Sequence, residues 1–232
     1  MNYIVWNGKD SRNIKGLLIS ELPPITKPKM RTKEIVVEGV DGSIIEELGY
    51  ESYDKTISIG LKIGADVDEV IEYFTGSGEI IFSNEPNKYY RANIIKAIDY
   101  ARLLKYRVAK VTFRVQPFKY DIADTEIFSN TNSNKMSVTN LGNYTAKPLI
   151  TIRGSGIVEL SVNDNSYVCV YTFPENENAV ILDSEKQDAY LDNQLKNSKM
   201  SGDFPVLKKG DNEITWVGNV ERISVKRYSR WL

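Results

Sequence analysis

The chain has 232 residues, 41% of them hydrophobic, with 30 Lys and Arg against 31 Asp and Glu and a net charge of -1. That balance gives no overall field to attract nucleic acid or acidic membrane, and no run reaches the roughly 18 apolar residues of a spanning helix. Histidine is absent and Cys169 is the single cysteine, which removes Ser-His-Asp and Cys-His catalysis, His-containing metal sites, thiolate zinc sites and any intramolecular disulfide.

In chain order, Tyr3-Ile4-Val5-Trp6, Asn7-Gly8 and the apolar stretch 14–19 predict a hairpin with a Gly-dependent turn. The opening ten residues are too polar for a secretory h-region, so synthesis in a host cytoplasm is expected. Pro23, Pro24 and Pro28 keep 22–30 out of helix or sheet as a stiff extended segment. A strand is expected over 34–38, then a tight turn at Gly39-Val40-Asp41-Gly42 and irregular chain through Tyr50.

From Tyr53 the pattern sharpens. Ile57, Ile59, Leu61 and Ile63 share one parity against Ser58, Gly60 and Lys62, the period of a half-buried strand. The period then becomes helical, with Val67, Val70, Ile71 and Phe74 on one face, Asp66 as N-cap, Glu69 three residues on and Gly76 as terminator. The acidic group Asp66, Asp68, Glu69 and Glu72 is read as a helix start. A calcium loop of the EF-hand type needs Gly where Ile71 stands and Glu where Ser77 stands. Strands are predicted over 79–82, 89–100 and 106–120.

The polar run 129–135 reads as an interdomain linker or a long hairpin tip. After it, short strands are expected over 149–153, 157–163, 167–173, 179–182, 189–191, 213–217 and 220–226. Turns are expected at Gly154 and Gly156, at Asn163-Asp164-Asn165-Ser166 and at Gly218-Asn219. That spacing predicts a β-sandwich or jelly roll. Cys169, inside YVCVYTF, reads as a small buried hydrophobe. The architecture is therefore mainly β: an N-terminal β-sandwich-like domain with one α-helix over 1–128, the linker, and a C-terminal β-sandwich over 136–232, whose closing strand near 220–232 is able to return to the first domain. No phosphate loop or dinucleotide fingerprint occurs, and no catalytic, cofactor-binding or metal-ligating residue is assigned. A carboxylate-pair glycosidase is not forbidden by composition, but nothing selects a pair. Asn143-Tyr144-Thr145 matches a glycosylation sequon by chance.

The order of NG hairpin, Pro-rich extension, EGVDGS, YDKTISI, helix, GSGEIIFSNEPNKYYRANI and VTFRVQPFKY resembles the distal tail protein (Dit) family of siphophages. NLGNYTAKPLITIRGSG, ILDS, FPVLKKGDNEITW and a closing RWL agree, so several weak motifs cover nearly the whole chain. The resemblance implies a non-enzymatic virion protein at the tail tip, without cofactor or membrane insertion. It implies a homohexameric ring built by the N-terminal domain, with a galectin-like or carbohydrate-module-like C-terminal domain outside. Such a hub joins the tail-tube protein to the tail-associated fibre or lysin protein. In some phages it holds receptor-binding proteins, and DNA passes its lumen without specific binding. Candidate inter-subunit contacts are Pro23, Pro24, Pro28, Asp41 and Gly42, because irregular segments have backbone groups to satisfy. The alternative function is a cell-surface carbohydrate-binding module used in host adsorption, with Tyr144, Tyr190 and Trp216 as candidate sugar-stacking residues. Trp216 shares parity with Ile214, which favours a place in the core.

Overall fold

The computed structural model describes residues 1–39, 41–129, 133–163 and 166–232 and is mainly antiparallel β. It divides into two compact units, Met1–Ile122 with Leu232, and Ala123–Trp231.

The first unit contains β1 (Ile4–Trp6), β2 (Lys9–Asp10), β3 (Leu17–Glu21), β4 (Met30–Ile35), β5 (Ile44–Tyr50), β6 (Tyr53–Leu61), α1 (Val67–Tyr73), β7 (Ser77–Phe82), β8 (Lys88–Ile94), α2 (Tyr100–Tyr106) and β9 (Val108–Asp121). Its main sheet runs β2-β1-β7-β8-β9-β6-β3, with every pair antiparallel. The alternating strands behave as their period requires: Ile57 and Ile59 of β6 and Val111, Phe113 and Val115 of β9 are buried together. Val70, Tyr73 and Phe74 of the α1 region join the same core, and the Trp6 and Phe113 rings lie 5.3 Å apart. The Asp66 carboxylate caps α1 by accepting from the amides of Asp68 and Glu69.

Ile63, expected on the buried face, is 95% exposed because β6 ends at Leu61. The strand predicted to reach Tyr100 stops at Ile94, and Tyr100–Tyr106 is a second helix. Asp99 caps it through the Arg102 amide, and Ala101, Arg102, Leu103, Leu104 and Lys105 are all good helix formers. Residues 44–50 are not irregular either. They form β5, which pairs with β4 alone in a separate two-stranded sheet, with Ile35 opposite Ile44 and Glu34 opposite Ile45. At the intervening turn Gly39 and Gly42 take φ of +82° and +87°, while Val40 lies outside the described residues.

The second unit contains β10 (Glu126–Phe128), β11 (Lys135–Asn140), β12 (Leu149–Val162), β13 (Tyr167–Thr172), β14 (Ala179–Asp183), β15 (Asp188–Leu191), β16 (Gln194–Leu195), β17 (Met200–Gly202) and β18 (Gly210–Lys226). Glu126–Phe128, placed before the expected linker, pairs with β18 of this unit. Residues 130–132 of that linker and 164–165 of the expected turn lie outside the described residues.

The four strands expected over 149–163 and 213–226 are two long ones, β12 and β18, paired along most of their length. Leu149 to Arg153 pairs with β14, whereas Ile157 to Val162 pairs with β13, so each long strand passes from one layer of a sandwich to the other. The corner is a bulge, with register shifts between Arg153 and Gly154 and between Ser155 and Glu159. Glycine is required there, because a Cβ on Gly154 would stand 2.3 Å from the Asn219 carbonyl oxygen and one on Gly218 2.3 Å from that of Ile157. Between the layers lie Ile150, Ile152, Leu160, Val162, Leu182, Trp216, Ile223 and Val225. Cys169 is buried with them, and burial pushes its thiol up to about 12, which leaves it inert at neutral pH.

Candidate interaction surfaces

In the first unit the Pro-rich segment is strapped down by three side-chain donors, two on β6 and one between β7 and β8. Asn84 Nδ2 donates to the Pro23 carbonyl at 2.9 Å, Lys55 Nζ to that of Pro24 at 2.9 Å, and the Tyr53 hydroxyl to that of Thr26 at 3.4 Å. Pro23 and Pro28 are buried, while Pro24 is exposed beside Ile25, itself 59% exposed.

Lys55 stands on the core parity of β6 and is 2% exposed. Its ammonium lies 5.0 Å from the Tyr90 ring centroid, 5.6 Å from that of Tyr53 and 5.8 Å from that of Phe82. Nearby, Glu85 accepts from the Tyr90 hydroxyl at 2.5 Å and pairs with Lys119. Burial pushes Lys55 down to about 8; the Glu85 carboxylate opposes this and the Lys119 ammonium adds to it. The same burial pushes Tyr53 up to about 12. Lys55 shares the parity of Ile57 and Ile59, so the sequence itself carries the signal of a charge on the core face of this strand.

The hairpin of β4 and β5 has the opposite character. Val36, Ile44, Ile45 and Leu48 are 74%, 60%, 64% and 48% exposed, and Asp41 and Gly42 lie exposed in its turn. Of the five residues proposed as inter-subunit contacts, Pro24, Asp41 and Gly42 are thus at the surface and Pro23 and Pro28 are packed within the unit.

In the second unit Trp216 is 6% exposed inside the core, where it cannot offer a face to a sugar. Tyr190 is half-buried on β15 and alternates with buried Ala189, so it points outward. Tyr144 is half-buried with the Arg230 guanidinium 5.4 Å from its ring centroid. Among the described residues no group of three or more Cys, Asp or Glu is placed to hold a metal ion.

These features define a two-unit antiparallel β scaffold whose distinctive chemistry lies on surfaces. Over its whole length the chain is similar to the crystal structure of the SPP1 Dit protein (gp 19.1), described as a paradigm of the hub adsorption apparatus in phages infecting Gram-positive bacteria; the TM-score is 0.73, the identity 16%, and 100% of both chains is covered. Two structures of the phage p2 baseplate in its activated conformation, with Sr and with Ca, are similar at TM-scores of 0.49 and 0.47, with 8% identity and 97% of both chains covered. No protein-family model and no curated protein matches the chain. The chain has a Dit-like fold, as the order of its motifs implied.

Proposed function

We propose that this chain is a structural distal tail protein of a siphophage or prophage. It assembles with itself into a hexameric ring at the virion tail tip, joining the tail tube to the fibre or lysin protein beyond, and it is not an enzyme. The observation that carries this reading is the full-length likeness to SPP1 Dit, which includes both units. Fold alone does not assign function, so the surface has to agree with it. The β4–β5 hairpin supplies that agreement: a two-stranded ribbon is marginal in water, and this one exposes six large aliphatic side chains, Ile35, Val36, Val37, Ile44, Ile45 and Leu48. Burial against the next subunit would satisfy both problems, through a head-to-tail contact of the kind that closes rings.

The test is assembly. Light scattering and negative-stain microscopy of the pure protein, alone and mixed with its neighbouring tail-tube and fibre proteins, are expected to show sixfold rings. A chain that stays monomeric in every mixture sinks the hub reading.

A further inference from the structure

Of the 15 glycines in the chain only Gly8, after Asn7, and Gly42, after Asp41, follow Asn or Asp. Such steps share a latent reaction, because glycine has no Cβ to shield its amide nitrogen from the side-chain carbonyl of the residue before it. The fold treats the two steps oppositely.

Asn7 and Gly8 make the turn between β1 and β2, with φ of +49° and +79°. The Asn7 side chain is tethered at both ends: its Oδ1 accepts from the Glu79 amide at 3.0 Å and its Nδ2 donates to the Ser77 carbonyl at 3.3 Å. A Cβ on Gly78 would stand 1.7 Å from Asn7 Oδ1, so β7 closes directly over that group. Turning onto the Gly8 nitrogen would break both hydrogen bonds.

Asp41 and Gly42 lie exposed in the turn between β4 and β5. Among the described residues the Asp41 carboxylate accepts no hydrogen bond and pairs with no cation, and the Gly42 amide donates to no carbonyl. The side-chain hydrogen bonds of this hairpin are made elsewhere, from the Ser43 hydroxyl to Glu34 at 2.6 Å and from Arg31 to the Leu48 carbonyl at 3.1 Å. Nothing lies within 4 Å of the place a Cβ on Gly42 would take, so the approach to its nitrogen is open.

We propose that Asp41 is a site of spontaneous backbone isomerisation, which converts the Asp41–Gly42 link into an isoaspartyl link. The Gly42 nitrogen attacks Cγ of the protonated Asp41 carboxyl group. The N–Cγ bond forms, a Cγ–O bond breaks, and the hydroxyl leaves with the amide proton as water. The cyclic succinimide then takes up one water. Opening at Cγ restores aspartate, whereas opening at the Asp41 main-chain carbonyl carbon leaves the chain running through Cβ and Cγ with the carboxylate on Cα. No oxidant, reductant or cofactor enters, and the net charge is unchanged. The product carries one more main-chain atom in a turn whose geometry sets strand register, so the pairing of Ile35 with Ile44 is the first it disturbs. This is covalent chemistry of the hairpin itself and holds whether or not the hairpin is a subunit contact.

The experiment is ageing of the full chain, held monomeric by dilution, in warm, mildly acidic buffer. After digestion, protein isoaspartyl methyltransferase with radiolabelled S-adenosylmethionine marks the new carboxylates, and peptide mapping places them. The peptide holding Asp41 is expected to take at least tenfold more label than the one holding Asn7. Asp41→Glu should abolish the label, because the larger ring closes far more slowly, and Gly42→Ala should slow its appearance at least fivefold. Asp41→Asn should raise the rate at least tenfold, because ammonia leaves the amide more readily than water leaves the acid. The proposal is overturned if the Asp41 peptide stays unlabelled, if the Asn7 peptide takes label as fast, or if Asp41→Glu, still folded by circular dichroism, leaves the label in that peptide unchanged.

Discussion

Lys55 occupies a position that its neighbours Ile57 and Ile59 assign to the core, and the fold accommodates its charge with the Pro24 carbonyl and three aromatic rings. Burying an ammonium is costly even when it is hydrogen-bonded, and the lowering of its pKa to about 8 expresses that cost. The unfolded chain holds this proton up to about 10.4. Between those two values the unfolded state binds more protons than the folded one, so stability rises with pH through the window and the penalty is fully present below it. The tyrosines act in the other direction. Tyr53 is pushed up to about 12, and burial raises Tyr90 as well, so above about 10 only the unfolded chain ionises and stability falls. The urea midpoint is therefore expected to climb from about pH 8 to about pH 10 and then decline. Lys55→Met should flatten the climb and keep the decline; a wild-type midpoint that does not move over that interval contradicts this account of the strap.

At the scale of elements, the corner where β12 and β18 change layers makes a sharp demand on backbone. Gly218 has φ +113° and no room for a Cβ, whereas Gly156, at φ +70°, has open space around its Cβ position. Gly156→Ala meets the left-handed backbone penalty alone, about 1 kcal/mol, while Gly218→Ala adds a collision with backbone and should cost roughly 2–3 kcal/mol. Urea unfolding of the two variants checks the ordering, and equal losses would mean the corner relaxes freely. The same corner shows what sequence could not convey. Gly-Ser-Gly and Gly-Asn have turn composition, and only the partner strand distinguishes a turn from a bulge. β6 and α1 were legible because each buries one face and so writes a period, and α1 adds its Asp66 cap. β5 writes none, since neither of its faces is covered, and α2 buries fully only Leu103.

For the whole molecule, the proposed ring turns on the β4–β5 hairpin being its subunit contact. Burying an exposed Ile or Val side chain is worth roughly 1.5–3 kcal/mol, so two of them at one contact control several orders of magnitude in association. Val36→Lys combined with Ile45→Lys changes residues that are 74% and 64% exposed, and should leave the unfolding free energy of the monomer within about 0.5 kcal/mol of the parent. Sedimentation velocity should then show the ring lost or its assembly moved to at least hundredfold higher concentration. A head-to-tail ring makes a stronger demand. Each subunit presents the hairpin to one neighbour and a different receiving surface to the other, so the double variant still accepts a wild-type hairpin while offering none. Mixed with wild-type protein it should occupy ring positions and block closure, lowering the yield of rings by more than its share of the mixture. Simple dilution, with wild-type rings forming in proportion, would instead place the subunit contact elsewhere and leave the exposed hairpin for a different partner.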